Sequence, residues 1–424
     1  MAWMRAIRTG FCVALCMTAL SCGGGGGGST SGGGGSTPPP PPPPPATVNT
    51  VSVIVDAGPS SNSVNTLFVS VTVCVPGSTT NCQTIDHIQV DTGSYGLRLL
   101  APALASTLSL PVEMLASGGS LAECTQFVDG FSWGPVALAD VTIGGETAKS
   151  LPVQVIGDPR FTNIPAACSN TAGPGTGEED TVATFGANGI LGIGPFELDC
   201  GDCDTVSSNG FYYACASGTA PCTGTTVPDN MQVPNPVTRF TVDNNGSIIV
   251  LPAVPAAGEV TLSGTLIFGI DTQSNNQSGT QTVLNVDGNA ELEMTFNGQM
   301  LNMSFIDSGS NGIFFADSSI VLCTNSQINT FYCPATTLTV GPLSIQGTNG
   351  VMANNLTFPV GNAQTILSTA PTDTFNVLPQ LAGTLPAGND NSFDYGLAFF
   401  YGKRVAVAVE GDKTSVGTGP YIAF

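Results

Sequence analysis

The sequence predicts an all-β protein made of two related lobes, and three observations lead to this prediction. Apolar or alternating segments of strand length recur from residue 50 to residue 409. Turn sequences such as Asp-Asn-Asn-Gly at 243–246 separate them, and no long segment has the 3.6-residue period of a helix. One strand–turn–strand pattern occurs twice, at Asp91 and at Asp307, far enough apart for one copy in each lobe.

The first residues have the features of an export signal. Two arginines precede an apolar stretch at 11–20 that is too short to span a bilayer. The sequence Ala-Leu-Ser-Cys at 19–22 resembles a bacterial lipoprotein cleavage box, which implies a signal peptide at 1–21 and acylation of Cys22. A plain signal peptide with an unmodified Cys22 is the alternative.

A low-complexity tether is predicted at residues 22–48. A flexible Gly/Ser run leads into a stiff run of eight prolines, which would hold a folded body off a membrane. By resemblance to lipoproteins of Gram-negative bacteria, Gly23 after the cysteine implies sorting to the outer membrane, on either of its faces. We expect an N-terminal lobe at 49–235 and a C-terminal lobe at 236–424.

The charge balance excludes one class of partners. Thirty Asp and Glu residues against nine Lys and Arg give a formal net charge of −21. Such a chain repels nucleic acids and anionic lipid surfaces, so we expect no nucleic-acid partner and membrane contact through the lipid anchor alone. We also expect a monomer.

The cysteines predict disulfides. Ten of the thirteen remain once the signal peptide and Cys22 are set aside, and an even number in an exported chain indicates bridges. Zinc or redox chemistry is the alternative for the one Cys-x-x-Cys pair, although its spacing suits neither. The predicted pairs are Cys74–Cys82, Cys124–Cys168 and Cys323–Cys333, and the pairing of Cys200, Cys203, Cys215 and Cys222 stays open.

Other polar features have simple explanations. His87 is the only histidine, which argues against a Ser-His-Asp triad, and we interpret it as a polar strand residue. The acidic run at 178–180 predicts a solvated loop, with a weak calcium site as the alternative. Because the sequence has no cluster of histidines or cysteines typical of a metal enzyme, we expect neither a metal nor a cofactor.

The repeated turn has the residues needed to hold a carboxylate. A strand ends at each aspartate and is followed by Thr-Gly-Ser after Asp91 and by Ser-Gly-Ser after Asp307. We expect hydroxyls that reach the opposite turn, glycines that let the backbones approach, and serines that donate to the carboxylates. These are Thr92 and Ser308, Gly93 and Gly309, and Ser94 and Ser310, respectively.

Two carboxyls around one water have a defined chemistry. Like charges that close cannot both ionise, so Asp91 and Asp307 would share one proton. One carboxylate then acts as a general base on the water, and its protonated partner polarises a carbonyl group. This chemistry needs neither a metal nor a covalent nucleophile.

The two turns resemble the active-site signatures of pepsin-like aspartic peptidases. Residues 188–194 are similar to the segment behind the first signature, and residues 394–424 are similar to the carboxyl end of pepsins. The resemblance implies a bilobal pepsin-like acid protease fold with a cleft between the lobes. It also implies an endopeptidase that takes an extended polypeptide, with an apolar preference beside the scissile bond. The chain resembles, in addition, a bacterial family of secreted pepsin-like lipoproteins, from which no activity carries over.

Two positions depart from the pepsin pattern. The flap tyrosine of pepsins is matched by Phe127, which can pack over a ligand but donates no hydrogen bond. Trp133 in the same hairpin is an alternative donor through its indole N–H. Arg98 replaces a tryptophan and would favour the ionised form of the dyad if its side chain pointed there.

Two functions therefore stay open at the level of the sequence. The intact turns favour a secreted aspartic endopeptidase. Phe127 and Arg98 favour a non-catalytic lipoprotein that binds a polypeptide or a glycan in the cleft. Plant xylanase inhibitors, which are pepsin-like without peptidase activity, are the analogy for this second function.

Overall fold

The computed structural model describes residues 49–128, 130–169, 177–217, 220–368, 375–385 and 391–424. The signal peptide predicted at 1–21, the tether at 22–48 and the acylation site Cys22 lie outside these residues, so they stay predictions. None of the described helices is long and apolar enough to cross a membrane.

Short β-strands make up most of the described chain. The strands are β1 (Thr50–Val55), β2 (Leu67–Cys74), β3 (Cys82–Asp91), β4 (Tyr95–Leu100), β5 (Ser120–Gln126), β6 (Gly130–Ile143), β7 (Glu146–Ile156), β8 (Gly177–Glu178), β9 (Gly189–Ile193), β10 (Tyr212–Cys215), β11 (Cys222–Gly224), β12 (Gly246–Val250), β13 (Leu262–Phe268), β14 (Val283–Asn285), β15 (Leu292–Phe296), β16 (Gln299–Ile306), β17 (Ile313–Phe315), β18 (Leu338–Gln346), β19 (Met352–Val360), β20 (Ala382–Gly383), β21 (Phe393–Tyr395), β22 (Arg404–Ala408) and β23 (Tyr421–Ala423). The helices are α1 (Ala166–Ser169), α2 (Val182–Phe185) and α3 (Ala363–Ser368), with 3₁₀ turns at Ala101–Ala103, Asp229–Met231, Pro236–Arg239 and Leu397–Phe400. Because the longest of these helices has 6 residues, the strands form the architecture.

The strands form two sheets, and the larger one draws on both halves of the chain. β1 lies where strands from the two halves of the chain meet, because it pairs antiparallel with β2 of the first half on one side and with β13 of the second half on the other. The smaller, 7-stranded sheet comes from the second half alone. The strand order is β11-β10-β5-β6-β7-β4-β9-β3-β2-β1-β13-β12-β22-β23-β14 in the larger sheet, with β8 beside β6, and β19-β18-β15-β16-β21-β17-β20 in the smaller.

The two aspartate turns occupy equivalent places in two similar strand arrangements. In the first, β3 runs parallel to β9, β9 is antiparallel to β4, and the turn after Asp91 joins β3 to β4. In the second, β16 runs parallel to β21, β21 is antiparallel to β17, and the turn after Asp307 joins β16 to β17. The internal repeat of the sequence is therefore a repeat of the three-dimensional structure.

Burial along these strands follows the pattern of their side chains. β2 buries Leu67, Val69, Val71 and Val73 on one face, the period of a strand against the core, and from Ser70 onward the residues between them are exposed or half-buried. β9 is apolar or Gly throughout and is buried along its whole length. A strand covered on both faces has this composition, and β9 lies behind the first aspartate turn.

Asn65 joins the two halves of the chain near the aspartate turns. Its amide nitrogen donates to the carbonyl oxygens of Asn311 at 2.9 Å and Leu378 at 2.8 Å. Its amide oxygen accepts from the Leu378 N–H at 2.6 Å and from the Tyr401 hydroxyl at 2.7 Å. All the hydrogen-bonding capacity of this buried side chain is thus directed at the second half, which fixes the position of the two halves at this point.

The structure confirms the three predicted disulfides and shows how the other four cysteines pair. Cys74–Cys82, Cys124–Cys168 and Cys323–Cys333 are bonded as predicted, and the remaining four form Cys200–Cys203 and Cys215–Cys222. Among the described residues, the one group with three potential metal ligands is Cys200, Asp202 and Cys203. Its two sulfurs are bonded to each other, so neither is a thiolate that could bind zinc in this structure.

Removal of the Cys124–Cys168 bridge should destabilise the protein more than removal of Cys74–Cys82. The first closes a loop of 44 residues and the second a loop of 8, and the chain entropy that a bridge removes from the unfolded state grows with loop length. We expect losses of about 4 and about 2.5 kcal/mol for the two double Cys→Ala variants. Urea unfolding measures both, and equal losses would contradict the loop-length argument.

Candidate active site

The turns at Asp91 and Asp307 meet and are joined by four reciprocal hydrogen bonds. The Thr92 hydroxyl accepts from the Ser308 N–H at 3.0 Å and donates to the Ile306 carbonyl at 3.3 Å. The Ser308 hydroxyl accepts from the Thr92 N–H at 3.1 Å and donates to the Val90 carbonyl at 3.0 Å. Each hydroxyl therefore bonds to the backbone of the opposite turn, as the sequence predicts.

Two glycines allow the carboxyls to approach each other. A Cβ built on Gly93 would lie 2.7 Å from the Cγ of Asp307, and one on Gly309 would lie 2.5 Å from an oxygen of Asp91. Any other residue would displace a carboxyl group or the opposite backbone. The backbone of each turn therefore packs directly against the carboxyl of the other, and the two aspartates come together at the junction.

Each carboxylate is also oriented by its own turn. Both aspartates accept one hydrogen bond from the glycine N–H and one from the serine hydroxyl that follow them, and both are nearly fully buried. Donors of this kind fix the rotamer of the carboxyl group and stabilise its charge. They are Gly93 N at 2.8 Å and Ser94 Oγ at 2.6 Å for Asp91, and Gly309 N at 2.7 Å and Ser310 Oγ at 3.1 Å for Asp307.

The electrostatics of the pair favour a proton on Asp307. Burial raises the pKa of Asp307 well above the ordinary value of 3.8, and the charges of Asp91 and then Asp394 raise it further. The hydrogen bond from the Gly309 N–H acts in the opposite direction. Asp307 therefore holds its proton at pH values where an exposed aspartate has lost it.

Asp394 is a third buried carboxyl beside this pair, and the sequence analysis did not assign it a role. It lies in β21 directly opposite Phe305 of β16, two residues before Asp307. The equivalent position behind the first turn is Ile190, opposite Gln89 of β3. Aligning the two halves of the internal repeat would have revealed an acidic residue where the other copy is apolar.

The hairpin of β5 and β6 is the predicted flap, and its tip reaches the second half of the chain. Val128 packs against an apolar cluster there, and the Phe127 N–H donates to the Gly130 carbonyl at 2.7 Å. The Phe127 side chain is buried against Phe185, with ring centroids 6.2 Å apart. A role of Phe127 over a ligand stays a prediction. The cluster that Val128 contacts consists of Phe314, Cys323, Ile328, Phe331, Ala363, Leu378, Leu381 and Leu385.

The structure corrects the expectation for Trp133. Its indole N–H donates to the Phe161 carbonyl at 2.9 Å, and its side chain is buried against Tyr213. Because this donor is used inside the first lobe, Trp133 does not offer it to a ligand. The single tryptophan of the hairpin is a core residue.

The structure also corrects the expectation that Arg98 acts on the dyad. Its guanidinium donates to the Thr125 hydroxyl at 2.7 Å and to the carboxylates of Glu123 at 2.5 Å and Asp199 at 2.9 Å. Burial and the charge of Glu123 raise the pKa of Asp199, which also accepts from the Tyr212 hydroxyl at 2.7 Å. Arg98 is thus the cation of a buried network that supports the flap strand β5.

The remaining polar candidates have structural roles. The two ring nitrogens of His87 in β3 lie 3.2 Å from a carboxylate oxygen of Asp56 and 3.3 Å from one of Asp86. The run 178–180 was expected to be a solvated loop, but Gly177–Glu178 pairs with β6 and Glu179 is buried. Within the described ranges, no calcium-like group of three carboxylates assembles at this run.

Comparison with known proteins identifies the family and the fold. A family model described as "Protein of unknown function (DUF3443)" matches residues 45–424. The chain belongs to this family. No curated protein sequence matches this DUF3443 member.

A solved structure supplies the fold assignment. The crystal structure of the aspartic proteinase from Irpex lacteus matches with a TM-score of 0.50 and 16% identity, covering 88% of this chain and 96% of that one. At this identity the likeness shows the fold alone. The DUF3443 chain therefore has a pepsin-like fold, and the predicted fold class is confirmed.

Substitution of Thr92 by valine should loosen the junction of the turns. Valine keeps the shape but leaves the Ser308 N–H and the Ile306 carbonyl without their partner, at about 1–3 kcal/mol for each buried group. We expect a loss of about 2–6 kcal/mol in urea unfolding. Thr72→Val is the matched control: its hydroxyl contacts Thr84 in an exposed pair, so the loss should stay within about 0.5 kcal/mol. A similar loss in both variants would show that the hydrogen bonds between the two turns add no more stability than an exposed pair of hydroxyls.

Asp307→Asn should stabilise the protein increasingly as the pH rises. A raised pKa means that the folded state binds the proton more tightly than the unfolded state, so wild-type stability falls as the pH rises from about 4. Asparagine cannot ionise, and the variant should gain up to about 1.4 kcal/mol per pH unit in this window. Thermal unfolding between pH 4 and pH 8 measures the difference.

Asp271→Asn is a control for which the change in stability with pH should have the opposite direction. Burial opposes ionisation of Asp271, but hydrogen bonds from Ser278 and Ser415 overcome this and lower its pKa to about 2. A lowered pKa contributes stability above about pH 4 that is lost as the pH falls towards 2. This variant should therefore be less stable than wild type at neutral pH and equal to it in strong acid. The same pH trend in both variants would contradict the assignment of Asp307.

Proposed function

We propose that this protein is a secreted, membrane-anchored aspartic endopeptidase that hydrolyses peptide bonds through a water activated by Asp91 and Asp307. The observation that carries the proposal is the pair of buried carboxyls, each packed against the glycine of the opposite turn. Burying two like charges at one junction is costly, and a structural role alone gives no reason for it.

The proposed chemistry assigns a role to each carboxyl. Asp91 accepts a proton from the water, whose oxygen attacks the carbonyl carbon, while Asp307 donates its proton to the carbonyl oxygen. The tetrahedral intermediate then returns a proton to Asp307 as the C–N bond breaks, and Asp91 gives its proton to the leaving nitrogen. The dyad ends in its starting protonation state, and Ser94 and Ser310 keep both carboxyls oriented throughout.

Export and anchoring belong to the same proposal. Five disulfides in the described part of the chain favour an oxidising compartment. A lipid on Cys22 and the tether at 22–48 would hold the catalytic body near an outer membrane while a polypeptide enters the cleft. The division into lobes at 49–235 and 236–424 is part of this proposal as well.

A second function is favoured by the flap. The indole N–H of Trp133 is bonded internally and Phe127 carries no donor, so these two flap residues offer a bound carbonyl no side-chain hydrogen bond. A pepsin-like lipoprotein that binds a polypeptide or a glycan without hydrolysing it would have this arrangement. A statine-type inhibitor, whose hydroxyl binds between two catalytic carboxyls, separates the two functions when its affinity is measured with and without Asp307→Asn.

Purified protein should cleave an unstructured polypeptide at acidic to neutral pH. Asp91→Asn and Asp307→Asn should each lower the rate by at least about 100-fold, because each removes one of the two proton-transfer groups. Asp140→Asn removes a buried carboxylate bonded to Lys149 in the first lobe, so its rate should match wild type. Mass spectrometry of the products measures all four proteins. If wild type and both dyad variants behave alike, the peptidase function is wrong.

A further inference from the structure

Asp394 lies on the same face of the smaller sheet as Asp307. Phe305 and Asp307 are two residues apart, so their side chains point to one face, and Asp394 is the direct parallel neighbour of Phe305. The ladder continues past the end of β16, since the Asp307 N–H donates to the Tyr395 carbonyl at 2.9 Å. The third carboxyl is therefore placed beside the dyad by the strand register.

The Asp394 carboxyl is buried without a full set of partners. The residue is 1% exposed, and its Oδ1 has no hydrogen-bond partner in the structure. The Ser310 hydroxyl acts on the Asp394 carboxyl, where it lowers a pKa that burial raises, but its hydrogen bond goes to Asp307 at 3.1 Å. A buried polar oxygen without a partner is unfavourable, and a ligand that donates to it removes this cost.

No cation of the described chain balances this acidic site. The buried guanidinium of Arg98 is bonded to Glu123 and Asp199. Lys403 donates to the Phe399 carbonyl, and Arg404 donates to the Gln277 carbonyl. None of the Lys and Arg side chains in residues 49–424 that the structure describes donates to Asp91, Asp307 or Asp394, so a cationic ligand would meet no competing cation of this chain there.

We propose that Asp394 is a specificity residue that receives a lysine or arginine side chain of the substrate next to the scissile bond. The proposal rests on the proposed function, because it requires that a peptide binds across the dyad. As the cationic group binds, the buried Asp394 carboxyl loses its proton to the solvent and the ammonium or guanidinium donates to the free Oδ1, which an apolar side chain cannot do. The substrate preference would then differ from the apolar preference that the pepsin resemblance implies.

The test uses peptides that bind but are not hydrolysed. A hydroxyethylene isostere replaces the scissile bond of a hexapeptide, and the residue before or after the isostere is either lysine or norleucine, which has a similar length without the charge. Calorimetry with wild type should show a preference for lysine of about 10- to 100-fold at one of the two positions. Asp394→Asn should reduce this preference below about threefold and leave the affinity for norleucine unchanged.

Two further measurements make the result unambiguous. Burial raises the pKa of Asp394, so the free protein holds a proton on this carboxyl. Binding of the lysine peptide to wild type should release this proton to the buffer, detected by repeating the titration in buffers of different ionisation enthalpy, and binding of the norleucine peptide should leave it in place. This readout needs no variant, so it remains if Asp394→Asn fails to fold. Asp140→Asn should keep the full lysine preference.

Three results would overturn the proposal: equal binding of both peptides, binding of neither, or a lysine preference that survives Asp394→Asn. The uncleaved peptides report binding alone, so hydrolysis of the matching amide peptides tests the peptidase function separately. Lysine preference without hydrolysis would keep the Asp394 site and reject the peptidase. Hydrolysis without a lysine preference would keep the peptidase function and reject the Asp394 site.

Discussion

The reciprocal hydrogen bonds between Thr92 and Ser308 are the interaction on which the rest of the site depends. Two acidic turns brought together by folding repel each other, and the four bonds to the opposite backbones oppose that repulsion at the point where it is strongest. The bonds are buried, so separating the turns would leave several backbone groups without partners. Gly93 and Gly309 then allow a carboxyl to occupy the space that a side chain would fill.

The stability of the whole molecule has to offset the cost of this site. Asp91, Asp307 and Asp394 are all nearly fully buried, and burial and mutual charge raise the pKa of the last two. Functional sites commonly carry such unfavourable groups at the expense of stability. The larger sheet, the contacts of Asn65 and five disulfides supply compensation, because they connect the two halves independently of the dyad or cross-link the chain.

The departures from the pepsin pattern have different meanings once their partners are known. Arg98 replaces an aromatic residue with a cation, and two buried acids, Glu123 and Asp199, neutralise it without involving the dyad. Trp133 is a core residue of the first lobe. Asp394, which differs from the apolar Ile190 at the equivalent place of the first half, has the most direct bearing on chemistry, because it adds a third buried carboxyl beside the dyad.

The amino-acid sequence was enough to predict several of the longer strands, the internal repeat, the two turns and three of the five disulfides among the described residues. These features depend on local patterns: alternation of apolar residues, turn residues, and cysteines close together in the chain. Tertiary structure alone decided where Arg98 and Trp133 donate, how Cys200, Cys203, Cys215 and Cys222 pair, and that Asp394 lies beside Asp307. The physical reason is that a side chain's partners are set by strand register and packing between distant segments. Arg98 meets an acid 101 residues away, and no local pattern records such a contact.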